Sequence, residues 1–358
     1  MSGIFGLLGV NDTERVFLRT IGQDVIYDAV TELVDRYNRD LDAAMGVFVE
    51  RTTTDYKLRY KLPGGGRLQR LSGLAPSAAV KAYGGYDIAL PLEGFGAAIS
   101  AGRIDYAYMT VRDLDRHLDT VMLQNMNSVR FEMLKALFNN TQRTFVDPLW
   151  GSLLVEPLAN GDAVLYPPVI GSESEATESH YYGFNYIGAN ISDTNNPYVT
   201  LHDELIEHFG VQTGGENIVV FINNAQVAKT EDLTDFDPVM DRFIIPGADT
   251  DRPSGLPARL PGKIVGRTNS CWVVEWRWMP ASYMLAMHLD SVAPLLKRAD
   301  PADTGLPASL ALVAKDEDYP IESSYWEHRF GFGCGNRLNG VVGYLVASTS
   351  YTIPTGYT

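Results

Sequence analysis

Tyr319-Pro320-Ile321-Glu322-Ser323-Ser324-Tyr325-Trp326-Glu327-His328-Arg329-Phe330-Gly331-Phe332-Gly333-Cys334-Gly335-Asn336-Arg337-Leu338-Asn339-Gly340-Val341-Val342 combines aromatic residues, closely spaced glycines and an Asn-Gly pair. Tyr325–Gly333 is rich in aromatic residues and reads as a strand. Val341–Ala347 is a second, apolar strand. Asn339-Gly340 between them predicts a tight hairpin turn, because both residues tolerate positive φ. Gly331-Phe332-Gly333-Cys334-Gly335 is glycine-rich. A phosphate loop would need a strand before it and a helix N-terminus after it. Here no helical pattern follows, so the glycines are read as points where the strand packs closely on another backbone.

Upstream, Asn269-Ser270-Cys271-Trp272-Val273-Val274-Glu275-Trp276 leads into Met279-Pro280-Ala281-Ser282-Tyr283. Alternation over Cys271–Trp278 puts Trp272, Val274, Trp276 and Trp278 on one strand face, read as core rather than as an aromatic binding strip. Tyr283–Leu289 is a further strand, and Asn217–Ile222 a buried one. Between these, residues 200–210 form a short helix. Thr200 is its predicted cap, Asp203 the box partner and Gly210 the stop.

Further out lies the strongest helical signal. Thr110-Val111-Arg112-Asp113 resembles a capping box. Val111, Leu114, Leu118, Val121, Met122, Met126, Val129, Met133 and Leu137 then recur at helical spacing over 111–138. Such a rod is about 42 Å long at 1.5 Å per residue. Residues 12–49 predict another helix, with Asn11 and Asp12 as caps and Gly22 as a bend or start. Its stripe includes Ile26, Val30, Leu33, Val34, Tyr37, Leu41, Met45 and Phe48. Pieces of strand are expected at Ser152–Pro157 and Ala163–Tyr166. Residues 172–178 form an acidic loop, and 235–265 a proline-rich irregular stretch.

Tyr56-Lys57-Leu58-Arg59-Tyr60-Lys61-Leu62 alternates cleanly. Tyr56, Leu58, Tyr60 and Leu62 share one face, and Lys57, Arg59 and Lys61 the other. Pro63-Gly64-Gly65-Gly66 follows as a turn or tip. This predicts a two-stranded arm, which alone in water is marginal and must lie on another surface. From Arg51 to Lys81 seven basic residues (51, 57, 59, 61, 67, 70 and 81) face one acidic residue, Asp55, a net +6. The whole chain carries −15, so the remainder carries −21. A basic segment on an acidic molecule is suited to binding a second copy of that molecule. The acidic balance disfavours a protein that grips nucleic-acid phosphates and suits an inner wall that must not stick to DNA.

The chain has 358 residues, 45% of them hydrophobic and 20% charged, enough for a sizeable core and two or three domains. No apolar run reaches the 18 or so residues of a membrane span. The start has no basic n-region or long apolar run, so secretion is not expected. Two cysteines, Cys271 and Cys334, make no disulfide framework and lack zinc spacing.

No motif predicts catalysis. His202 and His208 stand six apart, whereas a zinc-protease helix needs histidines at i and i+4 with glutamate after the first; both are read as surface helix residues. Cys334, His328 and Asn339 are close in sequence, which is weak support for a thiol site. Asp241, Asp249 and Asp251 fit no calcium loop. No cofactor or metal is expected.

The closing stretch at 319–342 and the run at 269–283 resemble the endings of tailed-phage major capsid proteins of the Hong Kong 97 type. The shared features are an aromatic strand, a Gly-x-Gly crossing and an Asn-Arg-x-Asn-Gly turn. The pattern is α+β, and the resemblance implies a Hong Kong 97-like capsid fold. Its parts would be an N-terminal arm (1–50), an extended E-loop (51–108), a peripheral domain with a long spine helix (109–195 and 311–358) and an axial domain (196–310). The implied function is self-assembly through hexamers and pentamers into an icosahedral shell around double-stranded DNA, without enzymatic activity. The alternatives are an encapsulin shell around a protein cargo, or a soluble carbohydrate-binding protein. The expected inter-subunit contacts are Arg51, Tyr56, Lys57, Leu58, Arg59, Tyr60, Lys61, Arg67 and Arg70. The implied partners are further copies, a separate scaffolding protein, portal and decoration proteins, and packaged DNA through weak non-specific contact, with no membrane. The chain would sit in the virion capsid after assembly in the host cytoplasm. Some relatives form Lys–Asn cross-links; Lys57 or Lys61 with Asn336 or Asn339 could be paired here, but ordinary non-covalent contact is the expectation.

Overall fold

The computed structural model describes residues 23–68, 84–186, 190–213, 217–239, 260–316 and 321–358. Asn11, Asp12, Gly22, Arg70, Lys81, Asp241, Asp249 and Asp251 lie outside them. The fold is mixed α/β, and its contacts group into two compact units. One takes Met1–Asp42, Glu93–Arg130 and Asp300–Phe330; the other takes Ala43–Leu92, Phe131–Ala299 and Gly331–Thr358.

The first unit is built on helix α1 (Gln23–Met45), strand β4 (Glu93–Gly102), helix α2 (Arg103–Tyr108), most of helix α3 (Val111–Phe138), strand β14 (Ala311–Asp316) and most of strand β15 (Ile321–Cys334). The predicted rod and its cap are both present. Thr110 Oγ1 donates to Asp113 Oδ2 at 2.7 Å, and Asp113 N donates back to Thr110 Oγ1 at 3.3 Å. Leu114, Leu118, Val121 and Met122 of α3 pack with Val30, Val34 and Tyr37 of α1 and with Ala97, Ile99 and Trp326 of the sheet. There β15 pairs antiparallel with β4, Ile321 opposite Gly102 through Phe330 opposite Glu93. A polar chain threads this packing: Asn125 Nδ2 donates to Tyr37 Oη at 3.0 Å, and Asn125 Oδ1 stands 2.7 Å from His328 Nδ1.

The α1 helix ends four residues short of its predicted end at residue 49. Gly46 weakens the helix, and Val49, Thr52 and Thr53 are β-branched residues that a strand accommodates better. Val49–Thr53 forms strand β1. Phe48, read as part of the helical stripe, is buried against Phe221 and Trp276 in the second unit.

That unit holds a seven-stranded sheet. Its order is β7 (Tyr181–Asn185), β16 (Val341–Val346), β12 (Tyr283–His288), β8 (Ile218–Ile222), β11 (Cys271–Glu275), β10 (Lys263–Thr268) and β9 (Asp237–Pro238). Every residue of β8 and β12 is buried. Helix α4 (Pro197–Thr213) packs Tyr198, Leu201 and Leu205 on the core formed by Val220, Ile222, Cys271, Val273, Met284 and Leu345. It starts before the predicted Thr200 and runs past Gly210. Asn196 Oδ1 accepts from Tyr198 N at 3.0 Å, and Pro197 suits the first helical position. A short helix, α5 (Asn224–Glu231), follows β8 and is capped by Asn223.

The tryptophan face is corrected in part. Val274 and Trp276 are buried as expected and Trp272 is half-buried, but strand β11 stops at Glu275 and Trp278 beyond it is exposed. Cys271 and Val273, on the other face, are buried too and join the core with α4.

The closing hairpin is corrected too. Residues 331–334 of β15 pair with strand β13 (Leu295–Arg298), which pairs parallel with β1. Strand β16 instead lies between β12 and β7 in the other sheet. Asn339 explains the difference. Its side chain accepts from His288 N at 2.8 Å and donates to the carbonyls of His288 at 3.0 Å and Val292 at 2.8 Å. It serves as a buried connector to β12, so the segment crosses between sheets instead of turning back. The close-approach reading of the glycines holds. A Cβ at Gly331 would collide with the backbone of Pro91, and one at Gly333 would stand 3.0 Å from the Ala89 carbonyl oxygen.

Candidate assembly surface

The basic arm takes the predicted two-stranded form. Strand β2 (Lys57–Lys61) pairs antiparallel with strand β3 (Gly85–Ala89), Lys57 opposite Ala89 and Lys61 opposite Gly85. Exposure alternates as expected: Leu58 and Tyr60 are half-buried, and Lys57, Arg59 and Lys61 are exposed.

The apolar face was expected to need a neighbour. The chain covers it itself. Leu58, Tyr60 and Leu62 pack on Tyr86, Ile88, Leu90, Ala159, Tyr166, Leu296 and Leu338. Tyr56 stacks on Trp150 with ring centroids 4.2 Å apart.

Part of the positive charge is also neutralised within the chain. Asp87, on β3, receives Arg59 Nε at 2.5 Å, Arg59 Nη2 at 2.9 Å and Lys57 Nζ at 2.8 Å. Hydrogen bonds from Arg59 and then Lys57 hold its carboxyl well below the usual carboxylate range. Arg67 pairs with Glu173, and Gly65 N donates to Glu175 Oε1 at 3.1 Å, so the acidic loop at 172–178 meets the arm tip. Arg51 lies exposed on β1. Neither Arg51 nor Lys61 forms an ion pair among the described residues.

The arm is fixed by a residue that the sequence reading passed over. Arg337 is fully buried. It donates to the carbonyls of Pro157 at 2.7 Å and Leu158 at 3.2 Å, pairs with Asp162 at 2.7 Å, and lies over the Tyr86 ring. Tyr86 donates its hydroxyl to the Gly335 carbonyl and stacks on Tyr60. The sole signal was an arginine inside Asn-Arg-x-Asn-Gly, where a plain turn has no need of one.

A second feature was legible only in part: a strand was expected at Ser152–Pro157, but its pairing with 143–147 was not. Strands β5 (Arg143–Asp147) and β6 (Gly151–Val155) form a two-stranded ribbon. Its outward side and tip present Val146, Leu149, Trp150 and Leu154, each at least half exposed. Asp147 shapes the tip: its Oδ1 accepts from Leu149 N and Trp150 N, while its Oδ2 pairs with buried Arg298 at 2.8 Å.

Cys334, His328 and Asn339, already weak as a thiol site from their spacing, do not form one. Burial pushes the Cys334 thiol up to about 12, and its sulfur is directed at the Ala136 carbonyl. His328 is engaged by Asn125 and Asn339 by the backbone of His288. Asn339 is fully buried, which removes it from any lysine cross-link. His208 is corrected from a surface residue to one whose side chain is 3% exposed.

No family model and no curated protein matches the chain. Among solved structures, a chain of Mycobacterium phage Patience aligns over 100% of this chain and 99% of its own length, with 17% identity and a TM-score of 0.68. The chain shares the fold of that phage chain from end to end. The capsid of a native GTA particle aligns over 85% of this chain and 90% of its own, at 13% identity and a TM-score of 0.48. The procapsid of satellite phage P4 aligns over 89% and 90%, at 8% identity and 0.42. At those scores nothing further is drawn from either.

Proposed function

We propose that this chain is a major capsid protein of the Hong Kong 97 type. Copies of it assemble through hexamers and pentamers into an icosahedral shell that encloses double-stranded DNA. The observation that carries this reading is the end-to-end likeness to the Mycobacterium phage Patience chain. In this reading residues 1–50 are the N-terminal arm and 51–108 the E-loop. Residues 109–195 and 311–358 are the peripheral domain, with α3 as its spine, and 196–310 the axial domain. The role is structural, and a separate scaffolding protein, a portal and decoration proteins act beside it. The shell is assembled in the host cytoplasm and becomes the virion capsid.

The basic arm segment is the inter-subunit contact. Because Leu58 and Tyr60 are half-covered by their own chain, the contact rests on the faces left outward. These are the cations Arg51, Lys57, Arg59 and Lys61, with Arg67 toward the tip, and the apolar ribbon tip at Leu149 and Trp150 beside Tyr56; Arg70, outside the described residues, is assigned to the same contact from the sequence. Each exposed ion pair with a neighbour contributes only about 0.2–1 kcal/mol. Repetition around a ring of subunits and burial of the ribbon tip supply the rest. The −21 carried outside the arm segment supplies the opposite charge.

Negative-stain imaging of the expressed protein, with and without its scaffold, tests this. Closed particles holding nucleic acid are expected. Closed particles holding a protein cargo would instead indicate an encapsulin shell. A monomer under every condition would overturn the shell reading.

A further inference from the structure

One cluster of titratable groups lies apart from the basic arm and the apolar ribbon in the sequence. His180 lies just before β7, and Glu207 and His208 are consecutive residues of α4. One ligand atom from each stands within 4.8 Å of the other two. The fold fixes the first residue firmly. His180 N donates to the Ala159 carbonyl at 2.8 Å, and its own carbonyl accepts from Val342 N at 2.8 Å.

The ring of His180 is fully buried. Its Nδ1 stands 2.9 Å from the Gly340 carbonyl oxygen. A carbonyl only accepts, so Nδ1 carries the proton and Nε2 a free lone pair. Nothing among the described residues hydrogen-bonds to that Nε2. An unpaired buried acceptor is costly, and native structures seldom leave one without a reason. An imidazole held by a backbone carbonyl at one nitrogen, with the other left bare, is the arrangement that metal-ligating histidines adopt.

The facing groups complete a donor set. Glu207 Oε1 is buried and lies 3.5 Å from His208 Nε2. Glu204, one turn earlier on α4, adds negative charge beside Glu207. Burial first, and then Glu204 and Glu178, raise the Glu207 carboxyl to about 8.

We propose that His180, Glu207 and His208 form a binding site for a divalent transition-metal ion, zinc foremost, which ties the last turns of α4 to the start of β7. Two imidazoles and one carboxylate suit zinc, cobalt or nickel; magnesium and calcium prefer all-oxygen sites. Ligand atoms around a tetrahedral zinc stand about 3.3 Å apart, so the three groups draw in by roughly 1 Å through side-chain rotation. Three protein ligands leave a fourth position for water or for Glu204. The paired histidines escape sequence inspection because His180 precedes His208 by 28 residues and reaches it through the sheet, not along the helix.

The test uses the full chain without a histidine tag, as the subunit and as any particle it forms. It is stripped with chelator, incubated with zinc and dialysed. About one zinc per chain is expected by elemental analysis, with a rise in melting temperature that calcium and magnesium do not give. Cobalt loading should give the visible absorption of a low-coordinate site. Glu207→Gln and His208→Gln, each shown by circular dichroism to fold in chelator, should weaken zinc binding more than tenfold and abolish the cobalt spectrum. Less than 0.1 zinc per chain in the wild type, on the order of adventitious binding, would overturn the site. So would undiminished binding in both variants. Neither result depends on whether shells form.

Discussion

Two five-residue strands of the second unit show how differently the same local structure is used. Strand β8 reads Ile-Val-Val-Phe-Ile, and all five residues are buried. Strand β2 reads Lys-Leu-Arg-Tyr-Lys, and its exposure alternates. The first is covered on both faces and has partners on both edges, β11 and β12. The second is covered on one face only. Burial of apolar area is the main stabilising term, at about 25 cal/mol per Å². Strand β8 therefore belongs to what holds the subunit together. Strand β2 leaves Lys57, Arg59 and Lys61 exposed on its other face. If that face serves assembly as proposed, stability and assembly rest on separate strands, and substitutions should affect them separately.

The largest effect is expected in the sheet. Phe221→Ala removes a fully buried ring that packs against Phe48 and Trp276. A loss of about 4 kcal/mol is expected from the lost transfer energy and the cavity. Denaturant unfolding of the subunit checks it. A loss below about 1 kcal/mol would break the contrast, because the sheet interior would then matter no more than the arm.

Next in size is the buried ion pair at the foot of the ribbon. Arg298→Met leaves Asp147 buried without its cation and removes the hydrogen bond to the Leu90 carbonyl. About 3 kcal/mol is expected, since an uncompensated buried charge costs more than the pair contributes. Acid should act in the same direction. Hydrogen bonds from Leu149 N, Arg298 and Trp150 N outweigh burial and leave the Asp147 carboxyl lowered; Asp87 is lowered by Arg59 and Lys57. A depressed carboxyl adds stability above its unfolded pKa of about 4, and loses it as pH falls through the folded value. Melting temperature should hold above pH about 4 and drop below it, with the drop reduced in Arg298→Met.

A smaller effect is expected at the rod. Thr110→Ala removes the cap that accepts from Asp113 N and should cost about 1 kcal/mol in thermal unfolding.

The sequence made the rod legible because nine apolar positions at helical spacing and a capping box agree with one another. The arm was legible because alternation over 56–62 is clean. What failed has physical causes. Asn339-Gly340 carries the same local signal whether the asparagine supports a hairpin or, as here, spends its side chain on the His288 backbone. Strand β4 was passed over because Gly94, Gly96, Ala97 and Ala98 offer little β-propensity; its ten-residue pairing with β15 comes from tertiary context. The arm's own cover was invisible because Tyr86, Tyr166 and Leu338 come from three distant segments. Asp87 was a lone acid just outside the basic run, and nothing in its spacing announced that it would stand opposite Arg59.

That pairing reshapes the test of the arm. Reversing Lys57, Arg59 and Lys61 together is the experiment their shared basic face suggests. With Asp87 holding two of the three, the reversal would set new glutamates against an existing aspartate and disturb the hairpin itself. A failed shell would then say nothing about neighbours. Arg51 and Lys61 avoid this, because both are exposed and neither pairs with Asp87. Arg51→Glu with Lys61→Glu should change subunit stability by no more than about 0.5 kcal/mol, as for surface changes that break no internal contact. It should nevertheless abolish or strongly reduce shells by negative stain, and the wild-type shells should weaken as salt screens the same contacts. If the double variant forms shells as readily as the wild type, the cations outside the Asp87 pairing are solvated ornament. The proposed inter-subunit contact would then have to rest on the apolar ribbon tip at Leu149 and Trp150 alone.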